Sequence, residues 1–336
     1  MVKEESMSTM GKCPLFTDRV DCVIEIYKEK IPDEGEDSYC YSINEAGGMI
    51  GVFDGCGGSG ARHYVGFQNR TGAYIASRAV CGAVMNWYEE NNGIIPMANQ
   101  SDAIKNEIMD SIRLCKDHCG AASKNRIKGS ISREFPTTAA IVVCGLEESI
   151  LSVRCYWAGD SRCYLLHESG LAQLTEDDID KIDALENISE DGTLQNVISA
   201  TKDFELHAAE YRFELPCIII AATDGCFGYL RSPMHFEHLL LSKLQSANSI
   251  KDFEDKLLYD LDGISGDDYT LVAIPIGFGS YEELQKTFKS RLQFIEKYMM
   301  PGFKTEEGIA EIWAEYQKHY YQFRIAGESN VDVPQL

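Results

Sequence analysis

No window of this sequence holds the roughly eighteen consecutive apolar residues that a membrane-spanning helix requires. Residues 1–12 lack a basic stretch followed by an apolar one, so no secretory signal is expected there; the segment is polar and reads as disordered. The 12 cysteines include no C-x-x-C pair and no disulfide-like framework. Most lie in apolar runs (Cys81, Cys144, Cys155, Cys163, Cys217), where a free cysteine behaves as a small buried residue. Positive charge is scarce: 31 bases face 53 acids, a formal charge of -22. Such a chain is a poor nonspecific binder of nucleic acid or an anionic membrane. Internal repeats and low-complexity tracts are missing too. A reducing, cytoplasmic setting fits these absences.

What is present is enough chain, 336 residues, for one large domain or two ordinary ones. One stretch stands out, residues 48–60. Met49 to Phe53 has the length and apolarity of a buried strand. Asp54 follows at the strand end, where a side chain can be rigid and still meet solvent. Gly55, Gly57, Gly58 and Gly60 then permit close backbone approach and positive φ. A carboxylate beside an approachable backbone suits a metal, or a metal-bound phosphate.

Taken in order, residues 21–27 and 39–43 read as strands around an acidic turn at 32–37. Residues 59–90 and 101–126 show apolar spacings of three and four and read as helices. Residues 124–134 form a basic loop. Residues 136–144 and 149–158 read as a hairpin, and 162–167 as the next strand after the turn Gly159-Asp160-Ser161. Residues 176–191 are acidic and weakly helical, and 193–212 give no clear pattern. Residues 216–222 are a fully apolar strand ending in Thr223-Asp224-Gly225. Helices follow at 232–244 and 250–262, then a strand at 269–276 entered through Gly266-Asp267-Asp268. Beyond Gly277 two amphipathic helices, 281–298 and 305–323, carry many aromatics and no strand. The division is therefore a core of residues 13–277 and a helical extension of 278–336.

The leading chemical candidate is a set of carboxylates at strand ends: Glu36 and Asp37, Asp54, Asp224, and Asp267 with Asp268. Oxygen ligands of this kind suit a hard divalent cation such as Mg²⁺ or Mn²⁺. Any single Asp-Gly is better read as a turn; the recurrence beside buried strands is what favours a site. Gly55-x-Gly57-x-x-Gly60 matches a dinucleotide fingerprint, but residues 71–80 lack the acid that motif needs. Ser161 sits between two strands, as in a hairpin turn, without the strand-to-helix elbow of a serine nucleophile. Cys115, His118 and Cys119 lack a further zinc ligand, and core packing is their default reading.

Six motifs occur in a fixed order: Phe53-Asp54-Gly55-x-Gly57-Gly58, Thr137-Thr138-Ala139, Ala158-Gly159-Asp160-Ser161-Arg162, Leu174-Thr175-Glu176-Asp177, Ala222-Thr223-Asp224-Gly225 and Asp267-x-x-Thr270. Over residues 18–276 the set resembles the metal-dependent protein phosphatase family of the protein phosphatase 2C type, in a bacterial-like form. The resemblance implies an α+β fold, a four-layer α-β-β-α sandwich. It implies hydrolysis of phosphoserine and phosphothreonine in a phosphoprotein substrate, with two Mn²⁺ or Mg²⁺ ions sharing a water. By the same resemblance Asp54 bridges the ions, Glu36 and the Gly55 carbonyl hold one, and Asp224 and Asp267 hold the other. Asp37 stands behind the ligands, and Asp160 is structural.

Three departures stand against it. Pro32 occupies the place of a phosphate-clamping arginine, Cys56 that of a histidine proposed as general acid, and Phe227-Gly228 that of a further acid, which leaves a third ion open. The other readings are a catalytically weak binding or sensor module and a small-molecule phosphatase on the same scaffold. The aromatics of residues 280–336 either pack on the core or offer a surface for a partner or for self-association.

Overall fold

The computed structural model describes residues 15–93, 98–119, 133–147, 149–180, 183–189 and 192–324. The expected disorder of residues 1–12, most of the basic loop and the end of the 101–126 helix lie outside these residues.

In chain order, β1 (Ile24–Lys28), β2 (Ser38–Ile43) and β3 (Gly48–Phe53) lead into a short turn of helix, α1 (Gly57–Gly60). A two-strand ribbon, β4 (His63–Tyr64) and β5 (Arg70–Thr71), precedes α2 (Gly72–Glu90) and α3 (Ser101–His118). Then come β6 (Ala139–Glu147), β7 (Ile150–Ala158), β8 (Arg162–His167), β9 (Gly170–Gln173), α4 (Ala184–Ser189), β10 (His207–Glu214) and β11 (Cys217–Ala222). The chain continues through α5 (Pro233–Ser246), α6 (Ile250–Ile264), β12 (Tyr269–Ile276), α7 (Tyr281–Phe294) and α8 (Glu306–Tyr320).

Two antiparallel sheets result, one ordered β1-β12-β11-β8-β9 and the other β10-β7-β6-β3-β2. Side chains alternate between strand faces, and here both faces are covered. In β3, Met49 and Phe53 pack toward α2 and α3, while Ile50 and Val52 enter the space between the sheets. In β11, Cys217, Ile219 and Ala221 meet them from the other sheet, and Ile218, Ile220 and Ala222 face α5 and α6. Burial on both faces is why these strands read as continuous apolar runs rather than alternating ones. The fold is the expected α+β, four-layer sandwich.

Three details differ from the expectation. The helix expected over 59–90 begins only at Gly72, capped by Thr71, whose side chain accepts the Tyr74 N–H. Gln68 and Asn69 take left-handed backbone (φ 53° and 62°), which folds residues 61–71 into the ribbon instead. Gly159-Asp160-Ser161 is not a hairpin turn: β7 and β8 belong to different sheets, so the turn crosses between them. Finally, residues 193–212, unassigned from the pattern, contain the start of edge strand β10.

The C-terminal helices share one apolar cluster with the first sheet, α5 and α6. Leu284, Phe288, Trp313, Tyr316 and Tyr320 are buried in it, while Phe294 and Tyr298 remain exposed. A buried polar knot ties the extension down. Glu237 of α5, 0% exposed, accepts Arg291 Nε at 2.7 Å, Arg291 Nη2 at 2.9 Å and the Tyr316 hydroxyl at 2.6 Å. Tyr320 meets Tyr164 with tilted rings, centroids 6.3 Å apart, and lies beside Arg162, whose buried guanidinium pairs with Asp177 at 2.6 Å.

Candidate functional site

The strand registers place the motif ends together. Ser38 pairs with Phe53, Ala139 with Ala158, and Ala222 with both Arg162 and Leu271. The residues just beyond these pairs, Glu36, Asp54, Asp160, Asp224, Asp267 and Asp268, therefore emerge at one end of the sandwich. They line a single cavity of about 580 Å³. Of the sequence-derived candidates, Gly55 also borders it, whereas Asp37 lies behind it, 2% exposed. Among the described residues the zinc reading gains no partner: Cys115 and Cys119 pack on the apolar cluster under α2 and α3, and the His118 ring meets Phe67 edge-on.

Asp54 and Asp37 are held by threonines from other strands. The Asp54 carbonyl accepts the Thr137 hydroxyl at 2.7 Å and the Thr138 N–H at 2.8 Å, and its N–H donates to Thr138 Oγ1 at 3.2 Å. Thr138 Oγ1 in turn meets Ser161 Oγ at 2.7 Å. The two threonines thus fix the end of β3 to the start of β6. Asp37 accepts the hydroxyls of Thr223 (2.9 Å) and Thr270 (2.7 Å), joining the Glu36 loop to the ends of β11 and β12.

Asp268, next to Asp267, has a structural role that the sequence does not reveal. Its Oδ2 accepts the Glu36 N–H at 2.6 Å and its Oδ1 the Lys30 N–H at 2.7 Å. It positions the backbone that carries Glu36. No local pattern announces this, because its partner lies 232 residues away.

Gly55, Gly57, Gly60 and Gly225 act through close approach, and the glycines of residues 55–60 do not take positive φ. A Cβ on Gly57 would stand 2.1 Å from Glu36 Oε2, and one on Gly225 would stand 1.9 Å from the Asp268 carbonyl oxygen. Only glycine at these positions lets the Glu36 carboxylate and the Asp268 backbone reach the Asp54 and Asp224 turns.

Electrostatically the site is loaded. Burial pushes the Asp54 carboxyl well above the usual range, and the nearby charges of Asp224 and Asp37 push it further. Asp160 is raised by burial, then by Asp224 and Asp177. Asp224 is raised by burial, offset in part by a shared hydrogen bond with Asp54. Glu36 is raised by burial, against the Thr71 hydroxyl that holds it down. Burial, then Asp54, raises the Cys56 thiol, which stays protonated at the cavity edge. Carboxylates crowded in this way favour either protons or a cation.

Among the described residues, no three His, Cys, Asp or Glu side chains sit close enough to form a ready-made metal cluster; the acids line a shared cavity rather than a closed cage. The donor set is nonetheless all oxygen, as a hard divalent ion requires. Three further placements bear on the departures. Pro32 is exposed in the turn after β1. Phe227 is buried under Tyr164 and Arg162, with its ring 4.1 Å from the guanidinium. Asp160, expected as a purely structural turn residue, borders the cavity beside Asp224.

No family model matches the chain, and no curated protein does. Solved structures do. The serine/threonine phosphatase Stp1 from Staphylococcus aureus aligns with a TM-score of 0.57 at 18% identity, over 82% of this chain and 99% of that one. A bacterial serine phosphatase aligns with a TM-score of 0.55 at 19% identity, over 76% and 98%. The serine/threonine phosphatase PstP/Ppp of Mycobacterium tuberculosis aligns with a TM-score of 0.51 at 15% identity, over 76% and 97%. The fold is thus the sandwich of protein phosphatase 2C type. Among the described residues, no helix is long and apolar enough to cross a membrane.

Proposed function

We propose that this chain is a metal-dependent phosphatase acting on phosphoserine and phosphothreonine in proteins. The observation that carries the reading is the convergence of Glu36, Asp54, Asp224 and Asp267 on one cavity, at the end of a sandwich shared with bacterial serine/threonine phosphatases. Two Mn²⁺ or Mg²⁺ ions suit this donor set. Glu36 and the Gly55 carbonyl would hold one, Asp224 and Asp267 the other, with Asp54 common to both. When bound, the ions supply a water of lowered pKa and positive charge against the phosphoryl group.

The chain's own contribution is to hold ligands that would otherwise repel one another. Thr137 and Thr138 fix Asp54, Asp268 fixes the backbone of Glu36, and Asp37 clamps three ligand-bearing turns from behind. Such supports behind a metal ligand commonly change affinity or activity by about 10- to 100-fold when removed. The supports from Asp37, Thr137, Thr138, Thr223 and Thr270 are buried at strand ends, so the ligands need little reorganisation. The test is hydrolysis of a phosphothreonine peptide and of p-nitrophenyl phosphate, with and without Mn²⁺. Folded, Mn²⁺-loaded protein that releases no phosphate from either substrate would defeat the proposal.

A further inference from the structure

We propose that Arg133 is the phosphate-binding side chain of this cavity, taking the role for which Pro32 offers no cation. The inference rests on the phosphatase reading for its substrate and on the cavity itself for its residue. Among the described residues that line the cavity, six are acids and one, Arg133, is a lysine or arginine. Its guanidinium donates one hydrogen bond, Nη2 to the Leu194 carbonyl at 3.3 Å, and among the described residues it has no other hydrogen-bond or ion-pair partner; its charge also acts on the Cys56 thiol. A guanidinium carries five N–H donors in a rigid fork suited to phosphate oxygens. Most of that capacity is therefore unspent, at the edge of a site whose other charged groups are all carboxylates.

The backbone that follows it, residues 134–136, is anchored by several contacts. Glu134 pairs with Lys116 at 3.0 Å, and its carbonyl accepts the Ala200 N–H at 2.8 Å. Phe135 is buried, holds a left-handed φ of 56° and stacks on Tyr64 with ring centroids 4.8 Å apart. Pro136 covers Gly60 at the end of α1. Arg133 thus projects from an anchored strand entry that is itself joined to the Asp54 turn through Thr137. It does not depend on the carboxylates for its position, which leaves it available to a phosphoryl oxygen. A charge-assisted hydrogen bond of this kind corresponds to about 10- to 100-fold in affinity.

The test is calorimetric titration of inorganic phosphate into Mn²⁺-loaded wild type, R133A, R133Q and R133K, with peptide kinetics on the same samples. Glutamine retains an N–H donor for the Leu194 carbonyl but not the charge, so it separates phosphate binding from support of that loop. The expected result is phosphate affinity at least about tenfold weaker in R133A and R133Q. R133K should fall between these variants and wild type. KM should rise in parallel, kcat should stay within about threefold, and Mn²⁺ affinity should not change. Phosphate affinity and KM within about twofold of wild type in R133A would overturn the assignment. So would a wild type that binds no phosphate, or a loss of Mn²⁺ affinity in R133A. If wild type binds phosphate through Arg133 yet hydrolyses no ester, the phosphatase reading falls and this assignment stands.

Discussion

Replacing Arg291 with alanine should destabilise the whole molecule, although the residue lies in the C-terminal extension. Glu237 is fully buried and takes both guanidinium hydrogen bonds, so R291A leaves a carboxylate in the apolar cluster with only the Tyr316 hydroxyl. Breaking a buried pair from one side costs about 3–5 kcal/mol. In a chain of this size that corresponds to a fall in Tm of roughly 4–7 °C. The triple variant E237M/R291M/Y316F removes all three polar partners together and should recover most of the loss, because no charge or hydroxyl is left unpaired. Urea unfolding followed by circular dichroism measures both. If R291A lies within about 1 kcal/mol of wild type, the extension is not docked through this knot.

Gly57→Ala should weaken Mn²⁺ binding by roughly tenfold while leaving Tm nearly unchanged, since the new methyl displaces only the flexible end of Glu36; calorimetry with a parallel melt reads both. Deleting residues 280–336 should lower stability sharply, and any folded fraction should retain its Mn²⁺ affinity; loss of affinity in a folded truncation would contradict the placement of the ligands. His235 gives a pH signature. Burial, reinforced by Arg231 and His238, pushes its imidazole down to about 4, while its ring packs on Phe303 of the extension. Above pH about 6.5 it is neutral both folded and unfolded and contributes nothing. Between about 6.5 and 4 the unfolded chain binds a proton that the fold refuses, so stability is lost as pH falls through that window. After discounting for its partial exposure the effect is on the order of 1–2 kcal/mol. H235Q should flatten this part of the profile in denaturant melts at pH 4.5 and 7.5, and an unchanged difference would refute it.

The central strands were legible because both faces are buried, which writes continuous apolar runs into the sequence. The acids were legible because each follows or precedes such a run. The ribbon at 61–71 was not: its residues keep a helical spacing, and only the left-handed Gln68 and Asn69 break it. Edge strand β10 was obscured because only Tyr211 and Phe213 are buried along it. The positioning role of Asp268 and the isolation of Arg133 in an acid-lined cavity depend on contacts between distant segments, which no local pattern records. Asp160 was visible as a turn but not as a cavity residue, because its turn joins two sheets rather than two neighbouring strands.

The carboxylates are most directly tested by titrating Mn²⁺ into wild type, D54N and D224N by calorimetry. Wild type should take up two ions, D54N should lose measurable uptake of both, and D224N should retain one weakened site. A wild type that takes up no Mn²⁺, or a D54N that binds as wild type does, would contradict the metal centre.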